Sequence, residues 1–160
     1  MSVLDWRGHR WLSFAVRIYL AAVFSWACWH KILHPDLFAL DVATYDILPL
    51  GLVNLQAIIL PWVELVAAVL LFLGVRSRAA AMLICGMMLM FIVAVSLAFS
   101  KGIDTSCGCF ASTTAGEDPI SWWTIGRDLF WLILSGYVVI FDRAPIGLER
   151  PSLQESAPNV

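Results

Sequence analysis

Four long apolar stretches, at residues 12–29, 50–73, 79–99 and 121–141, alternate with short segments that hold most of the charge. About 20 residues at 1.5 Å each cross a hydrocarbon core, so each stretch predicts a spanning helix. Together they predict an all-α membrane protein: a four-transmembrane-helix bundle over residues 1–143, followed by a short polar tail over 144–160. Pro35 is expected to end the first helix, because its ring removes a backbone donor and fixes φ. Arg7, His9 and Arg10 before the first stretch look like the start of a signal peptide. Arg17 interrupts the run and no small-residue cleavage site follows, so the segment reads as a retained helix.

The polar segments carry a directional signal. Arg7 and Arg10 precede the first stretch, Arg76 and Arg78 join the second to the third, and Arg143 and Arg150 follow the fourth. Short loops rich in Arg and Lys stay on the cytoplasmic side, which predicts that both termini are cytoplasmic. The opposite side holds Asp36, Asp41, Asp46, Asp104, Glu117 and Asp118, with Lys31 and Lys101 as its basic residues. Trp6 and Trp11 then mark the inner end of the first helix, Trp26 and Trp29 its outer end, and Trp122 and Trp123 the outer start of the fourth. These are headgroup-level positions that amphipathic rings favour. Trp62 and Trp131 fall inside the bilayer and read as packing residues.

Composition confirms the class and narrows the function. The chain of 160 residues is 61% hydrophobic and 14% charged, with a mean hydropathy of +0.83, well beyond the apolar share of a soluble domain, about 45–50%. A net charge of −2 excludes the clustered basic face that nucleic-acid binding needs.

Candidate chemistry concentrates on thiols. Cys107 and Cys109, separated by Gly108, lie in the segment between the third and fourth stretches, on the predicted extracytoplasmic side, where disulfides persist. A bridge across one intervening residue needs a sharp bend, which glycine permits. Strained, exposed disulfides are the exchange-prone ones. The alternatives are that the thiols stay reduced, pair elsewhere or bind a soft metal; the 100–120 segment has no histidine to complete a metal site, and none is expected. Cys28, near the outer end of the first helix, is either a relay thiol for that loop or a small buried hydrophobe. Cys85, with Met82, Met87, Met88 and Met90 around it in sequence, reads as packing.

Ionisable residues within a span are costly and mark candidate sites. Glu64 has Arg17 or Arg127 as prospective partners, or it stays protonated and carries a proton. Arg127 is followed by Asp128. Gln56 in the outer part of the second helix can join Arg127 in a polar pocket suited to the carbonyls of a quinone. Lys31, at the end of the first helix, either snorkels to the headgroups or lowers the pKa of a nearby thiol. His30 and His34 have a four-residue spacing, a weak metal signal by itself.

The order of four spans, with His30-Lys31-Ile32-Leu33 closing the first, Leu60-Pro61-Trp62-Val63-Glu64 in the second, Gly74-Val75-Arg76-Ser77-Arg78 between the second and third, and Ser106-Cys107-Gly108-Cys109-Phe110 before the fourth, resembles the MauE/DoxX-like redox-associated integral membrane proteins. The resemblance covers about residues 14–141. The chain departs from the family's usual pattern at Ala111, where glycine is usual, and at Asp128, where asparagine usually follows the arginine. An acid there can pair with Arg127 and change the local charge.

The resemblance implies a part in thiol and electron traffic, as in MauE-like maturation factors for disulfide-rich periplasmic enzymes and in quinone-linked DoxX-like proteins. The expected function is a membrane thiol/disulfide redox protein of the bacterial cytoplasmic membrane. Cys107 would exchange with a periplasmic thiol protein, Cys109 would resolve the mixed disulfide and Cys28 would assist. A quinone would be the cofactor, held near Arg127, Gln56, Glu64 and Lys31. The rival readings are a non-catalytic subunit of a larger membrane complex and a soft-metal carrier.

Overall fold

The computed structural model describes residues 7–45, 49–101 and 122–142. They form five helices: α1 (Arg7–Leu33), α2 (Pro35–Thr44), α3 (Leu50–Leu73), α4 (Ser77–Ser100) and α5 (Trp122–Phe141). Four of them, α1, α3, α4 and α5, are long and apolar enough to cross a membrane and fall on the four apolar stretches. The protein is a multi-pass, all-α membrane protein. α1 packs on α3, α3 on α4, α4 on α5 and α5 back on α1, which closes a four-helix ring.

Each long helix turns one stripe inward. On α1 the buried residues are Ser13, Arg17, Leu20, Ala21, Phe24, Ala27 and Cys28, the three- and four-residue spacing of a single helical face. Opposite them lie Ala67, Ala68 and Leu71 of α3, with Ala80, Ala81 and Ile84 of α4 completing the same cluster. Small residues at such seams let helix backbones approach closely where lipid offers no hydrophobic driving force. The outward faces are apolar as well: Leu55, Ile58, Ile59, Trp62, Val66 and Phe72 of α3 are all exposed. In water such a band would be a liability; in a bilayer it meets acyl chains.

α3 ends in a Schellman turn. Gly74 adopts the left-handed conformation at φ 68°, its N–H bonds to the Leu71 carbonyl at 3.3 Å, and the Val75 N–H reaches the Leu70 carbonyl at 3.1 Å. Glycine has no Cβ to clash at that φ. Pro61 sits inside α3, fully buried, and deprives the Ala57 carbonyl of its helical donor.

One element departs from the sequence reading. Pro35 does terminate α1, but it also opens α2 as a first-turn residue after His34, at φ −130° and ψ 65°. Proline suits that position because its missing N–H has no intrahelical partner there. α2 lays Phe38 and Val42 against Val53 and Ala57 of α3, while Tyr45 packs with Val95 and Ala98 of α4. It therefore covers the part of α3 around Val53 and Ala57.

Candidate functional site

The site follows from an axial offset between α1 and α3. Lys31, two residues from the end of α1, turns its ammonium inward to Glu64, with Nζ 3.0 Å from both Oε1 and Oε2. Glu64 lies fourteen residues into α3, about 21 Å along its axis. Lys31 thus turns into the bundle rather than outward, the direction that the headgroup alternative required. It is a buried cation at the end of a candidate span, with side chains 10% and 6% exposed for Lys31 and Glu64. The partner of Glu64 is neither Arg17 nor Arg127. A buried ammonium and carboxylate satisfy each other's charge, which neither could carry alone in that setting. Lys31 also lies 5.0 Å from the Phe38 ring of α2.

Cys28 precedes Lys31 by three residues, almost one helical turn on the same side of α1. Its side chain is completely buried, and its thiol donates to the Ser25 carbonyl at 3.2 Å. The buried thiol therefore lies about one turn from the cation of the ion pair.

α5 contributes a second ion pair. Arg127 donates through Nε and Nη2 to Asp128 Oδ1, each at 3.3 Å. Its guanidinium stands 4.9 Å from the Trp131 ring, a packing that planar Arg favours. Asp128 is wholly buried, and its Oδ2 has no hydrogen-bond partner among the described residues. The acid at this position does pair with Arg127. Trp131 donates from Nε1 to the Tyr19 hydroxyl at 3.2 Å, tying α5 to α1.

One cavity adjoins Glu64 and a second lies beside it. A small one of about 30 Å³ is lined by Phe24, Ala27, Lys31, Glu64, Met87 and Met88, among others, and has room for a water molecule or two. A larger one of about 380 Å³ lies between α2, α3 and α4, with Tyr45 and Gln56 among its mainly apolar lining. Leu60, Met90 and Phe91 belong to both linings. Gln56 faces this larger cavity and Arg127 is not among its lining residues, so the polar pocket expected between these two is not what the described residues form.

Tyr45, outside the spanning helices, is buried at the end of α2, and burial, with Asp41 and Asp128 adding negative charge, holds its phenol well above the ordinary tyrosine range.

At the far end of the bundle Arg17 is fully buried. Nε and Nη2 donate to the Leu71 carbonyl at 3.2 and 3.1 Å, and Nη1 reaches Asp142 Oδ2 at 3.5 Å. This fork joins α1, α3 and the end of α5, and places a cation at the negative end of the α3 dipole. Cys85 is half-buried and 3.0 Å from Ser135 Oγ. Ser135 spends its proton on the Leu132 carbonyl, so the Cys85 thiol is the donor. Cys107 and Cys109 lie outside the described residues.

Sequence reasoning missed the Lys31–Glu64 pair and the role of α2. The signal available for α2 was the spacing of Phe38, Val42 and Tyr45 after a helix-opening proline, at four and three residues.

Comparison with known proteins places the chain. The family model described as "Methylamine utilisation protein MauE" matches residues 9–141. Among curated proteins, Methylamine utilization protein MauE of Paracoccus denitrificans is 31% identical over 116 residues, covering 72% of this chain and 61% of the relative. Its namesake from Methylorubrum extorquens is 32% identical over 114 residues, covering 71% and 60%. The chain thus spans about three fifths of the length of the curated relatives it matches. No solved structure matches. A family match over most of the chain, joined to two relatives above 30% identity, shows that the chain belongs to the MauE family of integral membrane proteins.

Proposed function

We propose that the chain is a thiol–disulfide redox protein of the bacterial cytoplasmic membrane, serving the maturation of cysteine-rich proteins outside the cytoplasm, in methylamine utilisation or a related process. The observation that carries the reading is topological. α4 ends at Ser100 and α5 begins at Trp122, so the segment that carries Cys107 and Cys109 in sequence is attached at the same end of the bundle as the C-terminus of α1, where Cys28 and Lys31 lie. That attachment supports a relay between the Cys-Gly-Cys segment and the buried Cys28 thiol. The basic residues Arg7, Arg10, Arg76, Arg78, Arg143 and Arg150 support a topology with both termini cytoplasmic and the Cys107 segment outside.

The reaction runs by exchange. A client thiolate attacks Cys107 of a Cys107–Cys109 disulfide, the S–S bond breaks and Cys109 leaves as a thiolate. A second client thiolate then attacks the client sulfur of the mixed disulfide and releases Cys107. The client dithiol has lost two electrons and two protons, and the loop holds them. A membrane quinone takes both electrons and both protons, which restores the loop disulfide and yields a quinol. Cys28 is the relay thiol within the bundle.

The test is to trap the mixed disulfide. With Cys109→Ser, the Cys107 thiolate opens the disulfide of an oxidised extracytoplasmic client, one client sulfur leaves as a thiolate, and the Cys107–client mixed disulfide, which Cys109 would otherwise resolve, persists until a reductant is added; Cys107→Ser abolishes it. A stable complex whose assembly and client maturation survive both substitutions would instead identify an accessory subunit.

A further inference from the structure

We infer that the lateral cavity between α2, α3 and α4 is a binding site for the ring of an isoprenoid quinone. The inference rests on the redox reading for its consequence, though binding is testable apart from it. A volume of about 380 Å³ falls within the range of small-molecule sites, about 300–1,000 Å³. The walls are apolar, from Phe38 and Val42 of α2 to Leu89 and Val93 of α4. Leu89, Met90, Val93 and Leu97 are also exposed on the outer face of α4, so the cavity opens sideways to where lipid chains lie. A ligand dissolved in the bilayer enters without crossing water.

Acyl chains would also fit an apolar wall, so the polar groups choose between occupants. The half-buried Gln56 brings an amide to the lining, and an amide N–H donates to a carbonyl that an acyl chain lacks. Beyond Leu60, Met90 and Phe91, which this cavity shares with the smaller one, stand Lys31 and Glu64. Reducing a quinone to a quinol consumes two electrons and two protons. The electrons come from oxidation of a dithiol to a disulfide, and the protons need an ionisable route into the apolar site. An ammonium–carboxylate pair next to a space with room for a water or two supplies that route; an acyl chain has no use for one.

The experiment uses the full chain in phosphatidylcholine nanodiscs with a photoreactive azidoquinone, mapped by mass spectrometry. Adducts are expected on the α3 and α4 walls, between Gln56 and Leu60 and between Leu89 and Leu97, displaced by decylubiquinone and not by oleic acid. Leu60→Trp and Ala94→Phe fill the cavity from opposite walls and should each cut labelling at least fivefold. Gln56→Leu should weaken it about two- to tenfold, the worth of one neutral hydrogen bond. Labelling that oleic acid displaces equally, that survives both filling variants, or that maps elsewhere overturns the site. Cys107→Ser/Cys109→Ser should leave labelling unchanged. If that protein and the wild type both label normally but neither forms quinol from a reduced client, the site stands and the redox reading falls.

Discussion

Removing one partner of the Lys31–Glu64 pair should destabilise the bundle by about 3 kcal/mol. The pair is nearly dry, at 10% and 6% exposure, with both carboxylate oxygens 3.0 Å from the ammonium. Orphaning one member of a buried pair costs about 3–5 kcal/mol in soluble proteins, and a single charge at mid-membrane costs about 2.5–3.5 kcal/mol on insertion scales. The two ranges overlap near 3 kcal/mol. Glu64→Leu and Lys31→Met should each show this loss. The double variant, which removes both charges and fills the space with apolar groups, should cost less than either single change. The assay is a double-mutant cycle on reversible unfolding in bicelles, followed by circular dichroism and tryptophan fluorescence. Independent sites add within about 0.5 kcal/mol; if these two do, the ion pair is not what joins α1 to α3 and the geometry described is wrong.

Three further outcomes follow from single contacts. Arg17→Lys should destabilise by about 1–3 kcal/mol, the cost of leaving a buried partner unsatisfied, because an ammonium cannot fork between the Leu71 carbonyl and Asp142 as a guanidinium does; Asp142→Asn, which leaves the Leu71 contacts intact, should cost less by thermal unfolding. Cys85→Ala should lose only one hydrogen bond, about 0.5–1.5 kcal/mol, and leave client oxidation unchanged in a thiol-exchange assay. Tyr45 has a folded-state pKa raised above the ordinary 10.0, first by burial. Its stabilising contribution is complete below pH 10 and is lost as pH rises from there towards the folded value, because only the unfolded chain ionises. Denaturant titrations at alkaline pH should therefore fall more steeply for the wild type than for Tyr45→Phe.

The spanning helices were legible because length and apolarity suffice to specify a segment that crosses a bilayer, whatever it packs against. Residues 50–73 illustrate this: their pattern alone delimits α3 (Leu50–Leu73). α2 was not legible while Pro35 was treated as a stop, since the same missing N–H that ends one helix begins another. Pairings of buried charges were harder still. Glu64 had three buried or half-buried cations to choose from, and the choice depends on how far α1 is displaced along α3, which no single-helix pattern specifies. Arg17 was read as a partner for Glu64, but its reach is taken by a backbone carbonyl and by Asp142, just past the last span. Cys28 was placed near the outer end of α1 from sequence; its neighbourhood with Lys31 and Glu64 emerged only with the helix offset. Gln56 and Arg127 sat at compatible depths in their helices, but depth does not specify rotation, and Arg127 folds back on Asp128 and Trp131.

The central claim is that Cys107 and Cys109 cycle between dithiol and disulfide outside the cytoplasm. In intact cells, a membrane-impermeant maleimide added after acid quenching and washing should label both cysteines when a reduced client is supplied and neither when oxidised quinone is in excess, with Cys85 held as alanine to remove its signal. Equal labelling under the two conditions, or labelling only after the membrane is opened, would contradict the account.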